Sequence, residues 1–255
     1  MRHDRATNIR SFLFEHGLTP VQTLADVVGT SLATMRRDLT QLENDGVIER
    51  VHGAAKIAES ASNEVAFSQR ETEQIDAKRA IASVAISMLH PDSVIFLDAG
   101  TTVLQLARLI KLSQMPLTVF TNGLPVAQEL MGAPNVTVNL LGGRTRAKNL
   151  SVIGPHAETM LEQLWFQTLF LGASAINDAL QVSSFDADEA RLNTVMTRRA
   201  TTTCVMADRR KFGQQAPYSV FTLNSDHTLI TDSALPASLH PEDRPNIVIT
   251  NDTDG

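Results

Sequence analysis

The chain of 255 residues contains a single cysteine, Cys204. It sits in Thr203-Cys204-Val205-Met206, where neither a disulfide nor a metal-ligand spacing is available to it, and it reads as a small buried apolar side chain. Long hydrophobic runs are also missing. Val94-Ile95-Phe96-Leu97 is among the longest, far too short to cross a bilayer and suited to a buried strand. Met1-Arg2-His3-Asp4-Arg5 shows no leader-like apolar stretch, so the cytoplasm is the expected compartment and no membrane partner is expected. Aromatics make up 5%, with one Trp and one Tyr, which leaves function open. Nor is there an excess of base: the net charge is −6, an apparent argument against nucleic acid. That deficit is local, however. Residues 1–58 carry seven Lys+Arg against seven Asp+Glu, and residues 59–255 carry fifteen against twenty-one. A neutral segment still binds DNA when its cations share one face, because phosphate neutralisation is local.

Apolar material is ample. A hydrophobic fraction of 43% over this length supports one large domain, or a small one joined to a medium one. At the start, Ile9, Phe12 and Leu13 repeat at helical spacing from about Arg5 to His16, and Gly17 is a stop signal. Thr19-Pro20 is expected to open a second helix carrying Leu24, Val27 and Val28, which Gly29 ends. Ser31 then offers an N-cap to a third helix with Leu32, Met35, Leu39 and Leu42 on one face. Two short helices about a Gly-containing turn make a helix-turn-helix. After Asp45-Gly46, the runs Val47–His52 and Ala54–Ile57 about Gly53 predict a β-hairpin, a wing.

On the third helix, Thr34, Arg37 and Gln41 fall on one stripe, and Ser31 stands at the N-terminal end, which enters the major groove in this motif. Arg pairs bidentately with guanine, and Ser or Thr donates or accepts. Arg36, about 100° round the helix, suits a flanking phosphate. Arg50, His52 and Lys56 of the wing are placed for the neighbouring backbone or minor groove. The competing reading makes Arg36-Arg37 a solvated face paired with Asp38 or Glu43.

Residues 59–75 read as a linker and 76–236 as an α/β domain, with a tail over 237–255. Strands at Val94–Leu97, Leu117–Thr121, Val136–Leu141, Thr168–Leu171, Thr203–Ala207, Val220–Leu223 and Thr228–Ile230 alternate with helical segments, which predicts a mostly parallel sheet covered on both faces. Asp98-Ala99-Gly100-Thr101-Thr102, between a strand and a helix, forms a natural anion cradle, although a plain strand-to-helix turn fits the same residues. Thr121-Asn122-Gly123, Leu141-Gly142-Gly143-Arg144 and Leu171-Gly172-Ala173-Ser174 also follow strands, and such loops converge in open sheets.

The stretch Leu24-Ala25, Ser31, Thr34-Met35-Arg36-Arg37-Asp38-Leu39, Leu42-Glu43, Gly46, Arg50, His52-Gly53-Ala54-Ala55 resembles the DeoR-type family of bacterial sugar-catabolism regulators. The resemblance continues through Phe185-Asp186-Ala187-Asp188-Glu189-Ala190, Ala207–Gly213 and Thr231-Asp232. It implies a repressor with three kinds of partner: a double-stranded DNA operator, a phosphorylated sugar effector and further copies of itself, as a dimer or tetramer. It further implies a sensing domain similar to ribose-5-phosphate isomerase, with no catalytic residue, cofactor or metal. Asp98, Gly100, Thr101 and Thr102 become phosphate-loop positions, and Thr121, Asn122, Gly142, Gly143, Asp186, Glu189 and Lys211 pocket positions; the alternative is that the glycines serve only turns and that Asp186 or Glu189 caps the following helix. Three departures stand out: Ala54 where the family has a second Gly, a strain if φ there is positive; Gln181-Val182-Ser183-Ser184 without the usual Gly; and Asn193 where a Lys is common. An isomerase-like enzyme is the alternative, weakened because Asn193 supplies no cation.

Overall fold

The computed structural model describes residues 2–44, 48–57, 67–233 and 245–250. The chain divides into two compact units, Met1–Asn63 and Glu64–Gly255.

The first unit runs α1 (Arg2–His16), β1 (Thr19–Pro20), α2 (Val21–Val28), α3 (Leu32–Asn44), β2 (Ile48–Val51) and β3 (Ala54–Ile57). The helical-period residues make its core: Ile9, Leu13, Leu24, Met35, Leu39, Ile48 and Ala55 are all buried. Thr19-Pro20 does not begin α2. Pro20 keeps extended backbone and pairs with Ala54, so the helix starts at Val21. Gly29 ends it in the left-handed region at φ 68°. The wing is a two-residue hairpin with Val51 opposite Ala54. Its turn residues, His52 (φ 44°) and Gly53 (φ 82°), are both left-handed, the turn whose twist matches that of the strands. Strain at Ala54 is therefore absent: the left-handed positions precede it.

The second unit opens with α4 (Phe67–Thr72) and α5 (Ile75–Ile86). Then come β4 (Ser93–Leu97), α6 (Thr101–Ser113), β5 (Leu117–Thr121), α7 (Leu124–Leu130), β6 (Val136–Leu140), β7 (Arg144–Arg146), β8 (Ser151–Ile153) and α8 (Pro155–Glu162). The remainder is β9 (Phe166–Gly172), β10 (Ala175–Ile176), β11 (Gln181–Ser184), α9 (Ala187–Arg198), β12 (Ala200–Met206), β13 (Tyr218–Thr222), β14 (His227–Thr231) and β15 (Asn246–Ile249), with a 3-10 turn at Arg209–Lys211. Seven strands form one sheet in the order β15-β14-β12-β9-β4-β5-β6, every pair parallel.

Alternation along β4 sends Ile95 and Leu97 to one face with Ile81, Leu106 and Ile110. Phe96 goes to the other face, with Leu161, Leu192 and Met196. Both faces are dry, as a parallel sheet requires. From β4 the chain builds outward through β5 and β6, then returns to β4's other side with β9. The topological switch point lies between β4 and β9, where a ligand crevice is expected in such sheets.

Three segments differ from the sequence reading. Residues 67–72, inside the expected linker, are helical because Phe67 inserts into the core and its amide donates to the Lys148 carbonyl at 3.0 Å. Residues 246–249, inside the expected tail, add β15 beside β14. Val220–Leu223, expected among the main strands, falls mostly within β13, which pairs antiparallel with β11 in a separate small sheet.

Candidate functional site

In the first unit, α3 carries the expected cations on its outer face. Arg36 and Arg37 are exposed, and neither pairs with another described side chain. The two acids that could have neutralised them are engaged elsewhere. Asp38 binds Arg5 of α1, with Arg5 Nε 2.5 Å and Nη2 3.1 Å from its carboxylate oxygens. Glu43 lies 3.1 Å from Arg50 Nε. Ser31 caps α3, its Oγ accepting the Thr34 amide at 3.2 Å and lying 2.9 Å from Thr34 Oγ1. Gln41 is exposed one turn beyond Arg37. In the wing, His52 stands exposed at the tip. Arg50 also donates to Thr40 Oγ1 at 2.7 Å, and Lys56 pairs with Glu49 at 3.2 Å, so both lie against their own unit.

In the second unit, a small cavity sits at the switch point. Its lining includes Arg70, Asp98, Gly100 and Thr101-Thr102, with Asn149, Gly172–Ser174, Glu189, Asn193 and Lys211. The loops after β4 and β9 touch here: a Cβ on Gly100 would lie 3.2 Å from Gly172 Cα. Asp98 Oδ2 accepts the Gly172 amide at 3.1 Å, while Oδ1, although buried, has no hydrogen-bond partner among the described residues. Gly100 precedes α6 without a side-chain cap, so the first-turn amides and the helix dipole face the cavity. On the opposite wall Arg70 donates to Asn149 Oδ1, Asn149 donates to Glu189 Oε1, and Ser184 donates to Glu189 Oε2 at 3.1 Å.

Cationic and acidic groups share the cavity lining. Burial pushes the Asp98 carboxyl up to about 6, against the pull of the Ala99, Gly172 and Gly100 amides. Burial likewise lowers the Lys211 ammonium; Asp208 opposes this, and Arg70 and Arg210 lower it further. Beneath them, Lys78 is held at about 8, chiefly by burial. Neighbouring cations depressing one another beside a helix N-terminus are the complement of an anion. Asp98 Oδ1 and Asn193 Oδ1, both buried and unpartnered among the described residues, are complements of hydroxyl donors.

Six of the anticipated effector residues meet in this cavity: Asp98, Gly100, Thr101, Thr102, Glu189 and Lys211. Five do not line it. Thr121 and Asn122 are fully buried behind it, Thr121 Oγ1 accepting the Gly123 amide at 2.9 Å and Asn122 Nδ2 donating to the Val152 carbonyl at 3.4 Å. Gly142 is exposed, and Gly143 serves packing: at φ 153° its Cβ would stand 2.8 Å from the Ile153 carbonyl oxygen. Asp186 caps α9, accepting the Asp188 and Glu189 amides at 3.0 Å each. Burial raises its pKa, but those amides and Arg146 outweigh burial and hold it low. Arg70 and Asn149 join the site without a sequence signal of the kind that marks the others. Neither belongs to a glycine-marked strand end, and Arg70 falls inside the expected linker. Phe67, an isolated large apolar residue three positions earlier, is the available signal.

The model of the DeoR-like helix-turn-helix domain matches residues 5–61, and that of the DeoR C terminal sensor domain matches residues 73–233. Among curated proteins, the chain is 36% identical over 222 residues to the HTH-type transcriptional regulator GlpR of Haloferax volcanii, covering 87% of this chain and 86% of that one. It is 32% identical over 236 residues to the putative aga operon transcriptional repressor of Escherichia coli O157:H7, covering 92% and 87%. Against the lactose phosphotransferase system repressor of Staphylococcus aureus identity is 29%, covering 91% and 92%. Ribose 5-phosphate isomerase a from Methanocaldococcus jannaschii is a remote structural likeness, with TM-score 0.41 and 14% identity over 55% of each chain. Among the described residues no helix is long and apolar enough to cross a membrane.

Proposed function

The chain belongs to the DeoR family of DNA-binding transcriptional regulators, and on that premise we propose that it represses a carbohydrate-utilisation operon until a phosphorylated sugar fills the switch-point cavity. The curated relatives are regulators, which sets the isomerase alternative aside.

The observation that carries the effector reading is the mixed lining of that cavity. The uncapped α6 N-terminus, Arg70 and Lys211 suit a phosphate. Asp98, Glu189 and Asn193 beside them supply acceptors for hydroxyls. On the DNA side, Arg37 with Gln41 reads base edges and Arg36 holds phosphate. Ser31 and Thr34 set the helix end that enters the groove, and His52 reaches from the wing tip. Arg50 and Lys56 orient the wing. A single module of this size buries roughly 600–1,000 Å² on DNA, too little for tight specific binding, so a homo-oligomer in the cytoplasm places two such helices on half-sites.

The test uses the full chain and DNA fragments selected by it from a random pool. Pentose and hexose phosphates are screened by thermal shift, then by gel mobility on the selected fragment. A phosphorylated sugar is expected to raise the Tm and release DNA, whereas its unphosphorylated parent does neither. A chain indifferent to every phosphorylated sugar, or bound to DNA as a monomer on one half-site, defeats the corresponding part.

A further inference from the structure

One segment both lines the cavity and follows directly on the DNA-binding unit in the chain. α4 starts at Phe67, and only residues 58–66 separate it from the last residue of β3, Ile57. Its attachments to the sensor are specific. Phe67 is buried in the sheet's core, Glu71 accepts from Arg108 Nη2 at 2.6 Å, and Glu73 accepts from Arg210 at 3.1 Å. Lys78, 2% exposed, donates its ammonium to the carbonyl of Arg70, a group that a six-residue helix leaves open at its end, and to that of Glu73 just beyond it. From this seat the Arg70 side chain reaches Asn149 in the cavity wall.

We propose that Arg70 is a direct effector contact and that α4, through it, conveys occupancy of the cavity to the DNA-binding unit; this rests on the phosphorylated-sugar reading above. An anion entering beside Lys211 competes with the Asn149 amide oxygen for the guanidinium. A bidentate, charge-assisted pair with phosphate is the stronger partner. Moving the guanidinium pulls on a helix of one and a half turns, too short to be stable by its own hydrogen bonds. Its position is set by what it packs against, so two arrangements of Arg70 favour two seats for α4. A ligand that prefers one seat shifts the population toward it.

The readout is the coupling ratio, the Kd for the selected DNA fragment with saturating ligand divided by that without. The probe is the sugar phosphate giving the unsubstituted protein its largest thermal shift, with inorganic phosphate alongside. Allosteric ratios of roughly 5–150 are typical. Arg70→Met is expected to weaken the probe by at least about tenfold and to bring the ratio at saturation close to one. Arg70→Lys, which keeps charge and stem but loses the fork, is expected to fall between, and it carries the test should Arg70→Met not fold. A ratio that stays at the unsubstituted value in both variants at saturation overturns the proposal, even if affinity drops. Undiminished probe affinity in both overturns it as well. If the unsubstituted protein responds to no probe, the effector reading itself fails and this inference with it. That result is distinct from a normal response surviving in the variants.

Discussion

Asp98 and Gly172 are joined by a 3.1 Å hydrogen bond, carboxylate to amide, across the line where the sheet reverses its order of construction. The bond draws two loops from different strands into one wall. It also fixes a buried carboxyl whose second oxygen has no hydrogen-bond partner among the described residues.

A pH dependence follows from that carboxyl. Its folded-state pKa is raised from 3.8 to about 6, so the folded chain binds a proton more tightly than the unfolded chain does. Stability from this group is present below about pH 4 and lost as pH rises through about 6. At neutral pH the ionised form costs on the order of 3 kcal/mol, since each tenfold change in proton affinity is worth about 1.4 kcal/mol. Asp98→Asn is therefore expected to be more stable than the parent at pH 8, with the advantage shrinking as the pH is lowered toward about 4. Urea titrations at several pH values measure this. An advantage that did not vary with pH would assign the effect to something other than this proton.

The capping and lining carboxylates of α9 separate by mutation. Asp186→Ala removes an N-cap and is expected to cost roughly 0.5–2 kcal/mol while leaving sugar-phosphate affinity within about threefold. Glu189→Gln keeps the shape but removes a charge from the cavity wall, and is expected to change ligand affinity by at least about tenfold, from a loss of roughly 1.4 kcal/mol or more. Calorimetric titration of both variants decides; equal affinity losses would return Asp186 to the pocket.

Adjacent glycines give a second contrast. Gly143→Ala places a Cβ against the Ile153 carbonyl at an unfavourable φ, and is expected to destabilise by roughly 2–4 kcal/mol. Gly142→Ala meets nothing within 4 Å and should stay within about 0.5 kcal/mol. Denaturant midpoints check both.

For DNA, Arg37→Ala is expected to cost about 1–3 kcal/mol on the selected site and relax preference at one base position. Arg36→Ala should instead weaken all sequences alike and lower the salt slope by about one. Binding measured at several salt concentrations on matched and mismatched fragments separates them. The reverse pattern would exchange their roles.

The helix-turn-helix is legible in the sequence because its signals are local: the Ser31 cap, the Gly29 stop and the apolar repeats all act within a few residues. The strand ends bearing Asp98 and Gly172 are legible for the same reason. Arg70 and Asn149 are not, because their meeting depends on where α4 packs, a tertiary fact no period encodes. Asp186 is misplaced by its sequence context because an acid before a helix serves a cap as readily as a ligand. Gly143 is misplaced because a glycine beyond a strand end serves close packing as readily as phosphate.

The strand order at the sheet's centre bears on how the molecule comes to exist. The central pairing sets Ile95 beside Thr168, so the loop between them must close before the crevice is formed, whereas the helix-turn-helix gathers its core from neighbours in the chain. Contacts between distant residues form slowly, and during synthesis domains fold from the N-terminus onward. On the ribosome, a chain of this order completes its DNA-binding unit before its sensor domain.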